Sequence, residues 1–213
     1  MNVFAVESQI DLMAAAAGTD PLEFRLRHLS DARMRRVLQA AAAGFGWTAA
    51  KSHPSGRGRG IACSTDAGSY VATIAELSVD RDSGRVQVQR VVCAEDLGIV
   101  VNPDGARSQI EGAVMMGLGY SLIEELHFRG GEILDRNFDS YPLPRFSDAP
   151  RIEAILVRND ELAPQGGGEP PIVTTGAALA NAIFDATGAR LNRLPMTPAR
   201  VRAAAAATAA PRV

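Results

Sequence analysis

The stretch Val71-Ala72-Thr73-Ile74-Ala75-Glu76-Leu77-Ser78-Val79, continued by Asp80-Arg81-Asp82-Ser83-Gly84-Arg85 and Val86-Gln87-Val88-Gln89, decides the fold. Val71, Thr73, Ala75, Leu77 and Val79 alternate with Ala72, Ile74, Glu76, Ser78 and Asp80, a period of two that sends successive side chains to opposite faces. Arg81-Asp82-Ser83-Gly84 has turn chemistry, and Val86 and Val88 alternate with Gln87 and Gln89 in a returning strand. The segment therefore reads as a β-hairpin with one face better buried than the other.

Upstream of this hairpin the period is helical. Val3–Ala17 has helical apolar spacing closed by Gly18, and Asp20-Pro21-Leu22-Glu23 offers an N-cap, a first-turn proline and a third-position glutamate for a helix to Leu29. A third helix is expected over Ala32–Ala43, ending at Gly44-Phe45-Gly46-Trp47. Lys51–Gly60 is polar and glycine-rich and reads as a flexible connector. Downstream, Asn102-Pro103-Asp104 opens a helix through Leu122 that carries Gly112, Gly117 and Gly119. Each glycine costs ~1 kcal/mol relative to alanine, so close packing against the backbone is expected there. A short hairpin at Arg129-Gly130-Gly131, an irregular stretch Asp135–Pro150, a strand Arg151–Val157, and helices Ile172–Thr187 and Pro198–Ala207 complete the chain. Helices and antiparallel strands without a βαβ rhythm give an α+β class: a mixed or antiparallel sheet with flanking helices. The expected organisation is a helical segment over 1–50, a linker over 51–60, an α+β domain over 61–208 and a tail over 209–213.

Composition narrows the function. With 46% hydrophobic and 22% charged residues the 213-residue chain can bury a real core, and a net charge of −2 offers no field for nucleic acid or an anionic membrane. No apolar run reaches membrane-spanning length and the first residues lack a signal-peptide pattern, so the chain reads as cytoplasmic, or periplasmic if a partner chain carries an export signal. Cys63 and Cys93 stand far apart, as do His28, His53 and His127. An Fe–S cluster, a structural zinc and a histidine-based triad are not expected, and no side chain is assigned as a metal ligand.

Two constellations carry chemistry. In Pro164-Gln165-Gly166-Gly167-Gly168-Glu169-Pro170-Pro171, three glycines let the backbone approach a ligand while two prolines stiffen the backbone after Glu169. Glu169 is then held rigidly with amides beside it, which suits a general base against an anionic cofactor. A solvent loop with an incidental glutamate is the other reading. Asp96-Leu97-Gly98, Asn102-Pro103 and Gln109-Ile110-Glu111-Gly112 form the second, a loop feeding a helix whose Gln109 can both donate and accept. An exposed polar face on a core helix is the plainer reading of the residues alone. Glu124, Glu125 and His127 mimic a metal cluster but read as a solvated helix end. Gly56-Arg57-Gly58-Arg59-Gly60 lacks the lysine and serine of a phosphate loop and reads as a linker.

Taken together, the segments resemble the molybdenum-binding subunit of the xanthine dehydrogenase/aldehyde oxidase family, particularly the bacterial isoquinoline 1-oxidoreductase and nicotinate dehydrogenase large subunits. The resemblance runs through Asn2-Val3-Phe4-Ala5-Val6-Glu7-Ser8, Asp20-Pro21-Leu22-Glu23-Phe24-Arg25-Leu26-Arg27, Gly58-Arg59-Gly60-Ile61-Ala62, Asn102-Pro103, the Gln109–Gly112 and Gly117–Gly119 helix, Tyr141-Pro142, Gly168-Glu169-Pro170-Pro171 and Leu194-Pro195-Met196-Thr197-Pro198. It implies the C-terminal part of a molybdopterin-binding domain, with Glu169 as catalytic base and Gln109, Gly166, Gly167 and Gly168 against a molybdenum–molybdopterin cytosine dinucleotide. Met115-Met116 departs from relatives that carry a glutamine later on this helix. Family subunits are several times longer, so the resemblance further implies a partner supplying the N-terminal half of the subunit and a small Fe–S subunit carrying electrons away. The expected activity is hydroxylation of an aldehyde or N-heterocycle with water-derived oxygen. The alternative is a non-catalytic fragment or assembly domain that keeps the fold without the chemistry.

Overall fold

The computed structural model describes residues 2–49 and 56–209. In chain order these form α1 (Asn2–Ala16), α2 (Pro21–His28), α3 (Ala32–Phe45), β1 (Arg57–Asp66), β2 (Ser69–Val79), β3 (Val86–Asp96), α4 (Pro103–Leu122), β4 (Phe128–Arg129), β5 (Glu132–Ile133), a 3-10 turn (Phe146–Asp148), β6 (Arg151–Leu156), α5 (Pro170–Thr187) and α6 (Pro198–Ala209). Side chains start the helices: Asp20 accepts from the Leu22 and Glu23 amides, Asp31 from Arg33 and Met34, and Asn102 from Gly105. Left-handed Gly46 and Gly188 end α3 and α5.

The expected hairpin is β2–β3, antiparallel from Tyr70↔Asp96 to Val79↔Val86, with a register shift between Glu76 and Leu77. Its burial corrects the one-sided expectation, because Val71 to Ala75 are buried on both faces. The physical reason is a second helical layer. Val71, Ala75, Leu77, Val91 and Cys93 face a core shared with α4 and α5, while Ala72, Ile74, Val92 and Ala94 face a core built on Met34, Val37, Leu38 and Ala41 of α3. The sheet is thus the middle of three layers, and helix α3 shares a core with the strands.

The sheet order is β1-β2-β3-β6, antiparallel except for β6, which runs parallel to β3 from Arg90↔Arg151 to Glu95↔Leu156. This mixed sheet contains one β–α–β crossover, through α4, that the sequence did not suggest. The irregular stretch between α4 and β6 hides the rhythm.

Residues Arg57–Gly60, expected as linker, belong to β1, and Gly58 pairs with Leu77 and Gly60 with Ala75. A Cβ on Gly58 or Gly60 would collide with the α5 backbone at Ala182 or Ala178. These glycines therefore serve the close approach of strand and helix. Lys51–Ser55 of the expected linker, and the expected tail beyond Ala209, lie outside the described residues. No helix among the described residues is long and apolar enough to cross a membrane.

A buried polar network joins the layers. Arg25 donates to Glu7 from Nε at 2.9 Å and stands 3.6 Å from Asp11, while Arg190 reaches Asp11 at 3.0 Å and donates to Asn181 at 2.7 Å. Glu7 also accepts from the Cys63 amide, and Asn181 donates to the Ile61 carbonyl. Burial pushes the Glu7 and Asp11 carboxyls up against the opposing pull of Arg25. Glu7 and Arg25, one from each of the Asn2–Ser8 and Asp20–Arg27 motifs, form the central pair of this network, which Asp11, Arg190 and Asn181 extend.

Candidate active site

Long-range backbone contacts bring the glycine loop to the start of β2 and the end of β3. Gly98, just after β3, adopts φ +75, and a Cβ there would crowd the Leu162 and Ala163 carbonyls, so the chain returning from β6 passes directly over it. The Ile99 amide donates to the Leu162 carbonyl at 2.9 Å, that of Gln165 to Leu97 at 2.8 Å, and that of Gly166 to Ala67 at 3.1 Å. The buried Ser69 hydroxyl donates to the Gly166 carbonyl. A Cβ on Gly166 would lie 2.6 Å from the Ala67 Cβ, so this glycine is a packing requirement.

Beyond this anchor the loop has donors to spare. Among the described residues the amides of Gly167, Gly168 and Glu169 have no acceptor. Helix α5 begins with Pro170 and Pro171, which carry no N–H, so donors at its head come from the glycine loop instead. Glu169 occupies the N-cap position with φ −85 and ψ −31, and its side chain makes no capping bond. The carboxylate stands exposed.

Gln109 reaches the same place from α4, where it too is exposed, and a Cβ on Gly168 would stand 3.1 Å from its Oε1. One turn along the helix, Gly112 is exposed and a Cβ there would meet open space. The close packing expected for the α4 glycines holds at Gly117, where a Cβ would stand 2.7 Å from the Thr175 Cβ, and at Gly119, where one would strike the Glu124 side chain. It fails at Gly112, which leaves bare backbone beside Gln109. The structure therefore brings Gln109, Gly166–Gly168 and Glu169 together on one open wall: three unpaired amides, one carboxamide, one carboxylate and a backbone cradle. This donor set fits a polar, anionic pterin cofactor laid across it. Two cavities of about 260 and 250 Å³ lie elsewhere and include neither Gln109 nor Glu169.

Other motifs resolve into structural roles. Glu124 accepts from Tyr141, Glu125 pairs with Arg200 and Arg193, and His127 pairs with Asp135, so the three face separate partners. Cys63 and Cys93 are buried free thiols that desolvation pushes up to about 12. Asp96 is fully buried. Burial alone would raise its carboxyl, but bonds from Arg33, Gly98, Arg36 and Asn159 outweigh that and lower it to about 2. Arg33 and Arg36 thereby tie α3 to the loop that leads into α4. Ser69 and Asp96, which hold the site together, were not singled out as anchors from the sequence. The sequence signal nearest to hand is Gly68 just before Ser69, which the structure shows in a positive-φ turn with Ala67.

Residues 7–150 match the family model of the molybdopterin cofactor-binding domain. The chain is 39% identical to a nicotinate dehydrogenase subunit of Pseudomonas putida over 95% of its own length and 18% of that protein. It is 35% identical to the beta subunit of isoquinoline 1-oxidoreductase of Brevundimonas diminuta over 92% of its length and 25% of that protein. It therefore spans a quarter or less of these two relatives. Among solved structures, aldehyde oxidoreductase from Desulfovibrio gigas superposes with a TM-score of 0.78 over 96% of this chain and 40% of that one, at 16% identity, a likeness of fold. The helices flanking a mixed sheet, the motif order and the family match agree, and this chain belongs to the molybdopterin cofactor-binding domain family.

Proposed function

We propose that this chain forms one wall of the active site of a molybdenum hydroxylase that places water-derived oxygen on an aldehyde or N-heterocycle. The observation that carries this is the Glu169 carboxylate, exposed and uncapped beside three unpaired amides and the Gln109 side chain. When bound, the molybdopterin centre supplies the redox chemistry. Gln109 and the Gly166–Gly168 backbone hold the cofactor, taken here as the cytosine dinucleotide form, and the bare backbone at Gly112 admits it close to α4. Glu169, on a loop clamped at Gly166 and followed by two prolines, accepts the proton released as oxygen is transferred. The rest of the pocket comes from parts of the subunit outside these 213 residues, and Fe–S clusters on a separate small subunit carry the electrons off. The proposed location is the cytoplasm, or the periplasm where a partner carries the export signal.

The test is Glu169→Gln in the assembled enzyme. Gln keeps the shape but cannot act as a base, so turnover should fall by ~10²–10⁴-fold, with molybdenum content on the same preparation unchanged. Normal turnover at full metal loading removes Glu169 from the mechanism. The exposure of both Gln109 and Glu169 also favours a second reading, a binding or assembly domain that keeps the fold without activity. That reading requires every reconstituted assembly to lack turnover while the chain still binds its partner.

A further inference from the structure

Glu95 is unlike any other side chain at the site. It is fully buried, and among the described residues neither carboxyl oxygen has a hydrogen-bond partner. The strand register fixes its surroundings. On the α4/α5 side of the sheet, Thr73 pairs with Cys93 and Val71 with Glu95, and the Ser69 and Leu97 positions follow. Thr174 of α5 lies over the first of these layers, its hydroxyl 2.7 Å from that of Thr73. The glycine loop lies over the last, through Ser69 to Gly166 and through Gly167, whose Cβ would sit 3.7 Å from Leu97. Between these two points come buried Pro170 and Pro171, so Glu95 lies beneath the start of α5. A helix head would ordinarily offer N–H donors to a carboxylate, but these two prolines have none.

We propose that Glu95 is a positioning residue for the Glu169 loop: as a neutral acid it lets the loop and Pro170–Pro171 seat on the sheet, and its ionisation unseats them. The proposal rests on the reading of Glu169 as the base. Burial raises the Glu95 carboxyl to about 8, and no neighbouring charge contributes. The groups around it agree with that. The partners on β2 and β6 are Val71 and Leu156, α4 presents buried Ile110, and the loop brings only exposed Glu169. On β3 itself Cys93 stays a thiol up to about 12, while Asp96 pairs with Arg33 and Arg36 of α3. An unpaired carboxylate in this apolar layer must find water, and the cover nearest to hand is the loop.

The experiment is hydrogen exchange of the full 213-residue chain, wild type against Glu95→Gln, compared at matched pH so that intrinsic rates cancel. At pH 6.5 protection over residues 163–173, carried by the bonded amides of Gln165, Gly166 and Ile172, should agree within about twofold. At pH 9.5 the wild-type segment should exchange at least about tenfold faster than the variant, with α3 and β1 unaffected. Equal exchange at both pH values, or a change spread over all segments, overturns the proposal. Glu95→Met, similar in shape and unable to ionise, answers the same question if the glutamine variant does not fold. In the assembled enzyme the wild type should show an alkaline fall in kcat that Glu95→Gln lacks. Full activity of Glu169→Gln would sink the base assignment and leave the exchange result standing.

Discussion

Single side chains do two separate jobs in this molecule, holding layers together and presenting chemistry. Asp96 belongs to the first kind. Burial would raise its carboxyl, but the bonds it accepts, led by those from Arg33, overcome that and lower it from 3.8 to about 2. A depressed folded value stabilises above the unfolded value and is lost as pH falls through the folded one. Thermal unfolding should therefore show Asp96→Asn less stable than wild type at neutral pH, with the gap closing between pH ~4 and pH 2. A constant gap across that range contradicts the assignment. Arg25, buried against Glu7 and Asp11, is of the same kind, and Arg25→Leu should cost about 3–5 kcal/mol because buried Glu7 loses its paired cation while Asp11 keeps Arg190. Urea unfolding measures it. Gln109 belongs to the second kind. It is exposed and its side chain makes no hydrogen bond among the described residues, so Gln109→Ala should leave the unfolding midpoint unmoved while the assembled enzyme loses pterin, as leaving a bound polar group unsatisfied costs ~1–3 kcal/mol.

At the scale of elements, glycine separates packing from ligand approach. Gly60 on β1 lies where a Cβ would strike the α5 backbone at Ala178 and Ala182, and neither can yield without moving the helix. Gly60→Ala should destabilise by about 1–3 kcal/mol or more. Gly112 faces open space, so Gly112→Ala should stabilise the isolated chain by up to ~1 kcal/mol through helix propensity. In the assembled enzyme the same methyl should reduce cofactor content, because it would fill the cradle beside Gln109. A variant that gains stability and keeps its full pterin complement would show that Gly112 has no ligand to accommodate. The pair of substitutions reads out the two roles of glycine in opposite directions.

At the scale of the whole molecule, the candidate residues form a wall and not an enclosure. Gln109 and Glu169 are both exposed, and a pterin held for catalysis needs to be surrounded. The isolated chain should therefore fold but neither retain molybdenum nor turn over substrate. Metal analysis and an activity assay on the purified chain check this, and stoichiometric molybdenum with steady hydroxylation would refute it. The layered build gives this chain a core of its own: the sheet buries both faces, against α3 on one side and α4 with α5 on the other.

Local signals account for much of this. The Val71–Val79 alternation and the Arg81–Gly84 turn specified the β2–β3 hairpin, the caps at Asp20 and Asn102 specified helix starts, and the loop around Glu169 announced itself by composition. These are short-range effects of side-chain period and backbone freedom, which a sequence carries directly. The tertiary structure alone decided that Arg57–Gly60 is strand and not linker, because glycine in a flexible connector and glycine under a close helix are written with the same letter. It alone decided that the hairpin is buried on both faces, since Ala72 and Ile74 are core only once α3 covers them. It set Gly168 beside Gln109, a pairing across some 60 residues that no period encodes and that only the packing of α4 and α5 brings about, and it left Glu95 buried with no partner among the described residues.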